Sequence, residues 1–136
     1  MKLAHLMMYI RGTIDLSLII NANGTGMLKW YVDGLYRIHP NMKGHSGGGL
    51  SMGTGFPISS STKHMLNMRS STESEIVGVN NFMPSILWTV IFLNSQDYDV
   101  TESIIFQDNK STILLEKNSK SPRGKRTKHI NIQFFL

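Results

Sequence analysis

The chain has 136 residues, no cysteine and a formal net charge of +5. This length is that of one ordinary domain that can bury a core, and a composition that is 40% hydrophobic and 17% charged excludes a disordered or fibrous chain. Without cysteine, disulfide scaffolds, zinc fingers, thiol nucleophiles and iron–sulfur centres are excluded as well.

The N-terminal segment 3–11 is apolar and predicts an amphipathic helix that ends near Gly12. Arg11 follows the apolar residues and no small-residue cleavage site does, which argues against a secretory signal. No uninterrupted apolar run approaches the roughly 18 residues of a membrane span. We therefore expect an intracellular protein of the cytoplasm or nucleus that is not secreted and has no membrane partner.

Three strands are predicted next. Residues 27–33 are rich in aromatic and β-branched side chains, and residues 47–53 and 56–61 predict two more strands around a tight glycine-containing turn. Residues 49–53 also match the G-x-S-x-G pattern of serine hydrolases around Ser51. That pattern requires a helix after the serine. Because a strand follows here, a glycine-rich β-hairpin is favoured.

A long helix begins near Ser70, where Ser70 and Glu73 have the spacing of a capping box. Apolar residues then recur with a period close to 3.6 at Ile76, Val79, Met83, Ile86, Leu87, Val90 and Ile91. Residues 103–108 predict a buried strand and residues 109–116 a second helix. A strand–helix–strand–helix order implies a parallel strand pair and an α/β layer fold.

Three acidic residues lie at informative places in this order. Asp33 closes the first predicted strand, Asp108 closes the later one, and Glu75 lies near the start of the long helix. If the two strands are parallel neighbours, both aspartates emerge at one sheet edge, where α/β folds place their sites. Clustered carboxylates repel unless cations bridge them, and hard oxygen ligands favour Mg²⁺ or Mn²⁺. The alternative is that the aspartates are turn or cap residues.

Histidine offers a weaker signal. The five histidines are scattered along the chain, at positions 5, 39, 45, 64 and 129. Zinc hydrolases place two histidines close together on a helix. The spacing here is instead that of ordinary surface or packed histidines.

The positive charge is concentrated at the C-terminal end. Residues 110–136 have a net charge of +6, whereas the first 109 residues have a net charge of −1. Clustered Lys and Arg side chains favour binding to polyanions such as nucleic acids, because their contacts with the phosphates release counterions. A solvated loop is the alternative, since residues 118–124 have a loop composition.

Four segments together resemble the ribonuclease H domain of copia-type retrotransposon Pol polyproteins. They are Trp30-Tyr31-Val32-Asp33, Ser70-Ser71-Thr72-Glu73-Ser74-Glu75, Gln107-Asp108-Asn109-Lys110-Ser111-Thr112-Ile113 and Arg126-Thr127-Lys128-His129-Ile130-Asn131-Ile132. Their order and spacing are similar to those of the family, and the resemblance covers nearly the whole chain. It implies a ribonuclease H-like mixed sheet with flanking helices.

The resemblance also implies an activity, which is metal-dependent endonucleolytic cleavage of the RNA strand of RNA–DNA hybrids. Asp33 corresponds to the residue that bridges two Mg²⁺ (or Mn²⁺) ions, and Glu75 and Asp108 to the ligands of the second ion. Glu73 corresponds to the capping position. The basic residues expected against the nucleic-acid backbone are Lys117, Lys120, Arg123, Lys125, Arg126 and Lys128.

The same resemblance divides the chain into two parts. Residues 1–22 resemble the tail of the reverse transcriptase, which is the expected partner domain of the same polyprotein, and residues 23–136 the ribonuclease H-like domain. The final strand and helix of the family are expected to be missing here, so that the ribonuclease H-like domain is incomplete at its C-terminus. The family often has Asp two residues after the histidine of the last segment, where this chain has Asn131. The alternative is therefore a catalytically inactive retroelement remnant that at most binds nucleic acid.

Overall fold

Residues 2–117, which the computed structural model of the chain describes, form three helices and six strands. In chain order these are α1 (Lys2–Gly12), β1 (Asn21–Ala22), β2 (Met27–Leu35), β3 (His45–Ser51), β4 (Gly53–Thr54), β5 (Ile58–Lys63), α2 (Ser71–Ser95), β6 (Glu102–Phe106) and α3 (Lys110–Lys117). Each helix and strand predicted from the sequence is present, with shifted ends. The prediction that the strand over residues 103–108 is buried is wrong, because β6 lies at an edge of its sheet and its residues are exposed or half-buried.

The main sheet has four strands in the order β5-β3-β2-β6. β2 pairs antiparallel with β3 and parallel with β6, and β3 pairs antiparallel with β5. The predicted parallel pair is therefore present, and the prediction of a mixed α/β fold with flanking helices is confirmed. A small second sheet pairs Asn21 and Ala22 of β1 with β4.

The core lies between one face of this sheet and α2. Leu28, Trp30 and Val32 alternate along β2 and are buried, as period-2 geometry requires of a strand with one covered face. Val79 and Phe82 of α2 belong to the same buried cluster, and the Trp30 and Phe82 rings meet edge to face at 6.4 Å. Burying each such aliphatic or aromatic side chain contributes about 1.5–3 kcal/mol.

α2 begins as its sequence predicts, with one difference in the cap. The Ser70 hydroxyl oxygen accepts a hydrogen bond from the Glu73 backbone N–H at 3.1 Å. The Glu73 carboxylate, however, accepts from the backbone N–H of Arg69 at 2.7 Å, one residue before the position that a capping box predicts. The cap therefore satisfies a donor just outside the helix.

α2 is long and apolar on average, although it contains no uninterrupted apolar run of membrane-spanning length. Among residues 2–117 it is the one helix whose length and composition would allow it to cross a membrane. Polar residues, including Asn80 and Asn81, interrupt its apolar sequence. A helix that forms the core of a folded domain meets the same criterion, and one face of α2 packs on the sheet.

Candidate metal centre

Asp33, Glu75 and Asp108 come from three different elements and meet at one place. Each offers a carboxylate oxygen, and these oxygens lie within 4.8 Å of one another. Asp33 and Asp108 are exposed, whereas Glu75 is 7% exposed. The proximity that the sequence predicts for the three carboxylates is therefore present.

The parallel pairing of β2 with β6 brings the two aspartates to the same edge. The last residues paired between the strands are Tyr31 and Phe106, so Asp33 and Asp108 each lie two residues beyond that pair. The prediction that both aspartates close their strands is wrong in detail. β2 continues to Leu35 because it still pairs with β3 there, and β6 ends at Phe106.

Asp108 lies in the short connection between β6 and α3. The Asn109 side-chain oxygen accepts from the Thr112 N–H at 3.2 Å and so caps α3. Thr112 is fully buried, and its hydroxyl donates to the carbonyl oxygen of Thr72 in α2 at 3.5 Å. The connection that carries Asp108 is thus anchored to the same helix that carries Glu75.

Glu75 reaches the aspartates because β2 has a glycine where α2 crosses it. A Cβ atom at Gly34 would lie 2.6 Å from the Ser74 carbonyl oxygen and 2.8 Å from the Glu75 Cα atom. Both distances are shorter than van der Waals contact, and both neighbours are backbone atoms that cannot rotate away. Gly34 therefore permits the close approach that puts Glu75 beside Asp33.

The Glu75 carboxylate is buried but hydrogen-bonded. Its Oε2 atom accepts from the Gly34 backbone N–H at 2.7 Å and from Nε2 of Gln107 at 2.8 Å. Burial raises the pKa of the Glu75 carboxyl above its usual range, and the charges of Asp33 and Asp108 raise it further. The two hydrogen bonds act in the opposite direction because they stabilise the ionised form.

This donor set fits a divalent cation. Three carboxylates within reach of one another offer the hard oxygen ligands that Mg²⁺ and Mn²⁺ prefer, and a bound cation would offset their mutual repulsion. Glu73 lies at the cap of α2, where its carboxylate accepts from the Arg69 backbone N–H, and it is not one of the three. The group could therefore hold a metal ion.

The two aspartates open onto a trough of about 900 Å³ on the sheet face opposite α2. The rings of Tyr31 and Phe106 stack there at 4.9 Å. Gly47 of β3 leaves open space in the neighbouring floor, whereas the Phe56 ring lies against Gly49. The candidate centre is thus accessible from the open face of the sheet.

The predicted nucleic-acid contacts lie outside the part of the chain whose side chains are described. Lys117 is the last residue of α3, and Lys120, Arg123, Lys125, Arg126 and Lys128 follow residue 117. Asn131 lies there too. Their proposed roles stay predictions.

The G-x-S-x-G match has the structure expected of a hairpin. Ser51 ends β3, is 7% exposed, and donates its hydroxyl to the Gly53 carbonyl oxygen at 3.3 Å. β4 follows it, not a helix. Ser51 therefore lacks the exposure that a nucleophile needs.

Sequence reasoning missed two sets of polar contacts. The first is the pair of donors on Glu75, of which Gly34 directly follows Asp33 and Gln107 directly precedes Asp108. Adjacency to a predicted ligand was the available signal. The second is a histidine group in which His39 contacts His45 at 3.1 Å and His64 contacts Ser46. The sequence spacing carries no signal for that group.

No family model, curated protein or solved structure matches this chain. The fold and the site define a mixed α/β protein with a candidate divalent-cation centre at the edge shared by two parallel strands and the start of a helix.

Proposed function

We propose that this protein is a metal-dependent endonuclease of the ribonuclease H type, which cleaves the RNA strand of RNA–DNA hybrids as part of a retrotransposon Pol protein. The observation that supports the proposal best is the meeting of Asp33, Glu75 and Asp108 within 4.8 Å. These are the three residues to which the resemblance assigns the metal ions.

The mixed sheet supports the proposal at the level of architecture. A ribonuclease H-like fold needs the strands that carry the two aspartates to be parallel neighbours, and β2 and β6 are. It also needs an acidic residue near the start of the intervening helix, and Glu75 lies there. These placements follow from pairing and packing, independently of the residue motifs.

The chemistry proposed is hydrolysis of a phosphodiester bond. Two divalent ions, when bound, supply activation of the attacking water and neutralisation of charge on the phosphate. Asp33 would hold both ions, and Glu75 and Asp108 would hold the second. The buried Glu75 is kept in place by its two hydrogen bonds, while the exposed aspartates face the solvent from which the substrate arrives.

Selection of the RNA strand would depend on shape and on the 2′-hydroxyl groups, because proteins recognise A-like duplexes through these features. The basic segment, with its net charge of +6 over residues 110–136, would contact the phosphates. The reverse transcriptase of the same polyprotein is the proposed partner domain.

The test is cleavage of an end-labelled RNA–DNA hybrid by the 136-residue chain with Mg²⁺ or Mn²⁺. We expect slow cleavage of the RNA strand, because Asn131 is a neutral and weaker ligand than the aspartate it replaces in the family. Asp33→Asn should reduce the rate by more than the roughly 10–100-fold typical of residues that only support ligands. Asp15→Asn, at an exposed position of the segment after α1, is the matched control and should not change the rate.

Asn131→Asp separates the proposal from the inactive-remnant alternative. Restoring a carboxylate should raise the rate if the remaining centre is competent. If the unmodified chain, Asp33→Asn and Asn131→Asp are all inactive, the result favours the catalytically inactive remnant instead. Cleavage that persists undiminished in Asp33→Asn would place the activity elsewhere and overturn the proposal.

A further inference from the structure

Gln107 lies between β6 and Asp108 and directs its side chain to Glu75. Its Nε2 atom donates to Oε2 of Glu75 at 2.8 Å, across 32 positions of sequence. A carboxylate oxygen only accepts, so the amide nitrogen and not the amide oxygen must face it. The orientation of the Gln107 amide therefore follows from the chemistry of its partner.

The Gly34 backbone N–H donates to the same oxygen at 2.7 Å. β2 and the end of β6 thus each provide an aspartate and, at the adjacent residue, one donor to Glu75. Both donors converge on Oε2, and no described residue donates to Oε1. Two donors on one oxygen restrict the rotation of the carboxylate, whose terminal torsion is otherwise broad.

We propose that Gln107 is a positioning residue of the metal centre, an inference that rests on the proposed function. It holds Oε2 of Glu75 so that Oε1 is the atom presented to the cation shared with Asp33 and Asp108. Removing the amide leaves Gly34 as the remaining donor, so the carboxylate can turn. Groups that orient ligands in this way typically change metal affinity about 10–100-fold when they are removed.

The chemistry of Gln107 suits this role. Its own Oε1 atom is buried and has no hydrogen-bond partner among the described residues. Within that part of the chain, the side chain therefore forms its hydrogen bond to Glu75. A neutral amide adds no charge to the acidic group, yet it stabilises the ionised carboxylate that a metal needs. A lysine would supply a donor but also a positive charge that opposes the cation.

The test measures metal binding to the full chain and not activity. Mn²⁺ affinity is determined by titration, and the number of waters on bound Tb³⁺ by luminescence lifetimes in H₂O and D₂O. Tyr31, two residues before Asp33 and lining the same trough, is placed to excite the Tb³⁺. Gln107→Met removes the donor at similar size, and Gln96→Met is the matched control, since Gln96 is exposed at the end of α2.

We expect Gln107→Met to weaken Mn²⁺ binding by about 10–100-fold and to add about one water to bound Tb³⁺, as Glu75→Gln does. Gln96→Met should change neither. In the double variant, Gln107→Met should add nothing to the effect of Glu75→Gln, because the amide acts through that carboxylate. Thermal unfolding of each variant in chelator establishes that it is folded.

Two results would overturn the inference while the proposed function stands. Gln107→Met could bind Mn²⁺ as the unmodified chain does, or its effect could add fully to that of Glu75→Gln, which would make Gln107 a separate ligand. Failure of the unmodified chain to bind Mn²⁺ better than Asp33→Asn would reject the metal centre itself, and with it both proposals.

Discussion

His64 shows how a single polar residue is accommodated in the interior of this protein. It is 2% exposed, its Nε2 atom shares a hydrogen bond with the Ser46 hydroxyl, and its Nδ1 atom has no partner among the described residues. Burial lowers the pKa of the His64 imidazole, and the nearby His45 and His39 lower it further. The folded state therefore favours neutral His64.

This shift predicts how stability depends on pH. The unfolded chain gains a proton on His64 near pH 6.5, the ordinary value of histidine, whereas the folded chain gains it only at lower pH. The stability that depends on neutral His64 is fully present above about pH 6.5. It is lost as the pH falls from there through the pKa of His64 in the folded state. Urea unfolding between pH 7.5 and 5 measures it.

His64→Gln is the comparison for that measurement, since glutamine keeps a group that can hydrogen-bond Ser46 but does not titrate. Its free energy of unfolding should fall less over the same pH interval. An equal fall in both proteins would show that His64 does not cause the effect.

At the scale of elements, the decisive contact is the crossing of β2 and the start of α2. The Ser70 cap sets where α2 begins, and Gly34 sets how closely its first residues approach β2. One glycine thus controls both the packing of two elements and the position of Glu75.

Gly34→Ala should therefore lower the free energy of unfolding by about 1–3 kcal/mol, as overpacking does, and weaken Mn²⁺ binding. The new Cβ atom would press on the backbone of Ser74 and Glu75, at 2.6 and 2.8 Å. Gly47→Ala, in the adjoining strand, is the control for stability, since its Cβ would meet no atom within 4 Å. Urea unfolding compares the two. Equal stability of the two variants would contradict this explanation.

At the scale of the whole molecule, a cation at the centre would link β2, α2 and the end of β6. Three carboxylates within 4.8 Å are a source of repulsion in the metal-free protein. Binding that occurs in the folded state alone stabilises that state by mass action. The three carboxylates should therefore lower the stability of the folded protein in chelator and raise it when a metal ion is bound.

Saturating Mg²⁺ should raise the melting temperature of the unmodified chain, with a gain of about 2.7 kcal/mol at 100 times the Kd. Asp108→Asn should lose most of this gain and should melt slightly higher than the unmodified chain in chelator, because one repelling charge is removed. Calorimetry with and without Mg²⁺ measures both. A gain that is equal in the two proteins would mean that Mg²⁺ binds elsewhere.

Much of the architecture could be predicted from the sequence. The start of α2 was readable because Ser70 and the apolar period are local signals, and the parallel pairing of β2 with β6 followed from the order of elements. The places of Asp33, Glu75 and Asp108 in the predicted order of elements indicated one acidic group, and the resemblance indicated the same three residues. Signals of this kind depend on neighbours within a few positions of the chain, or on a resemblance that spans the motifs.

The tertiary structure decided the rest. Gly34 and Gln107, 41 and 32 positions from Glu75, supply the donors for its carboxylate. The partnership of His64 with Ser46 is of the same kind. A local pattern determines which face of a strand or helix is apolar, but contacts between distant residues depend on strand register and on how closely two backbones approach. Both are settled only when all the elements pack together.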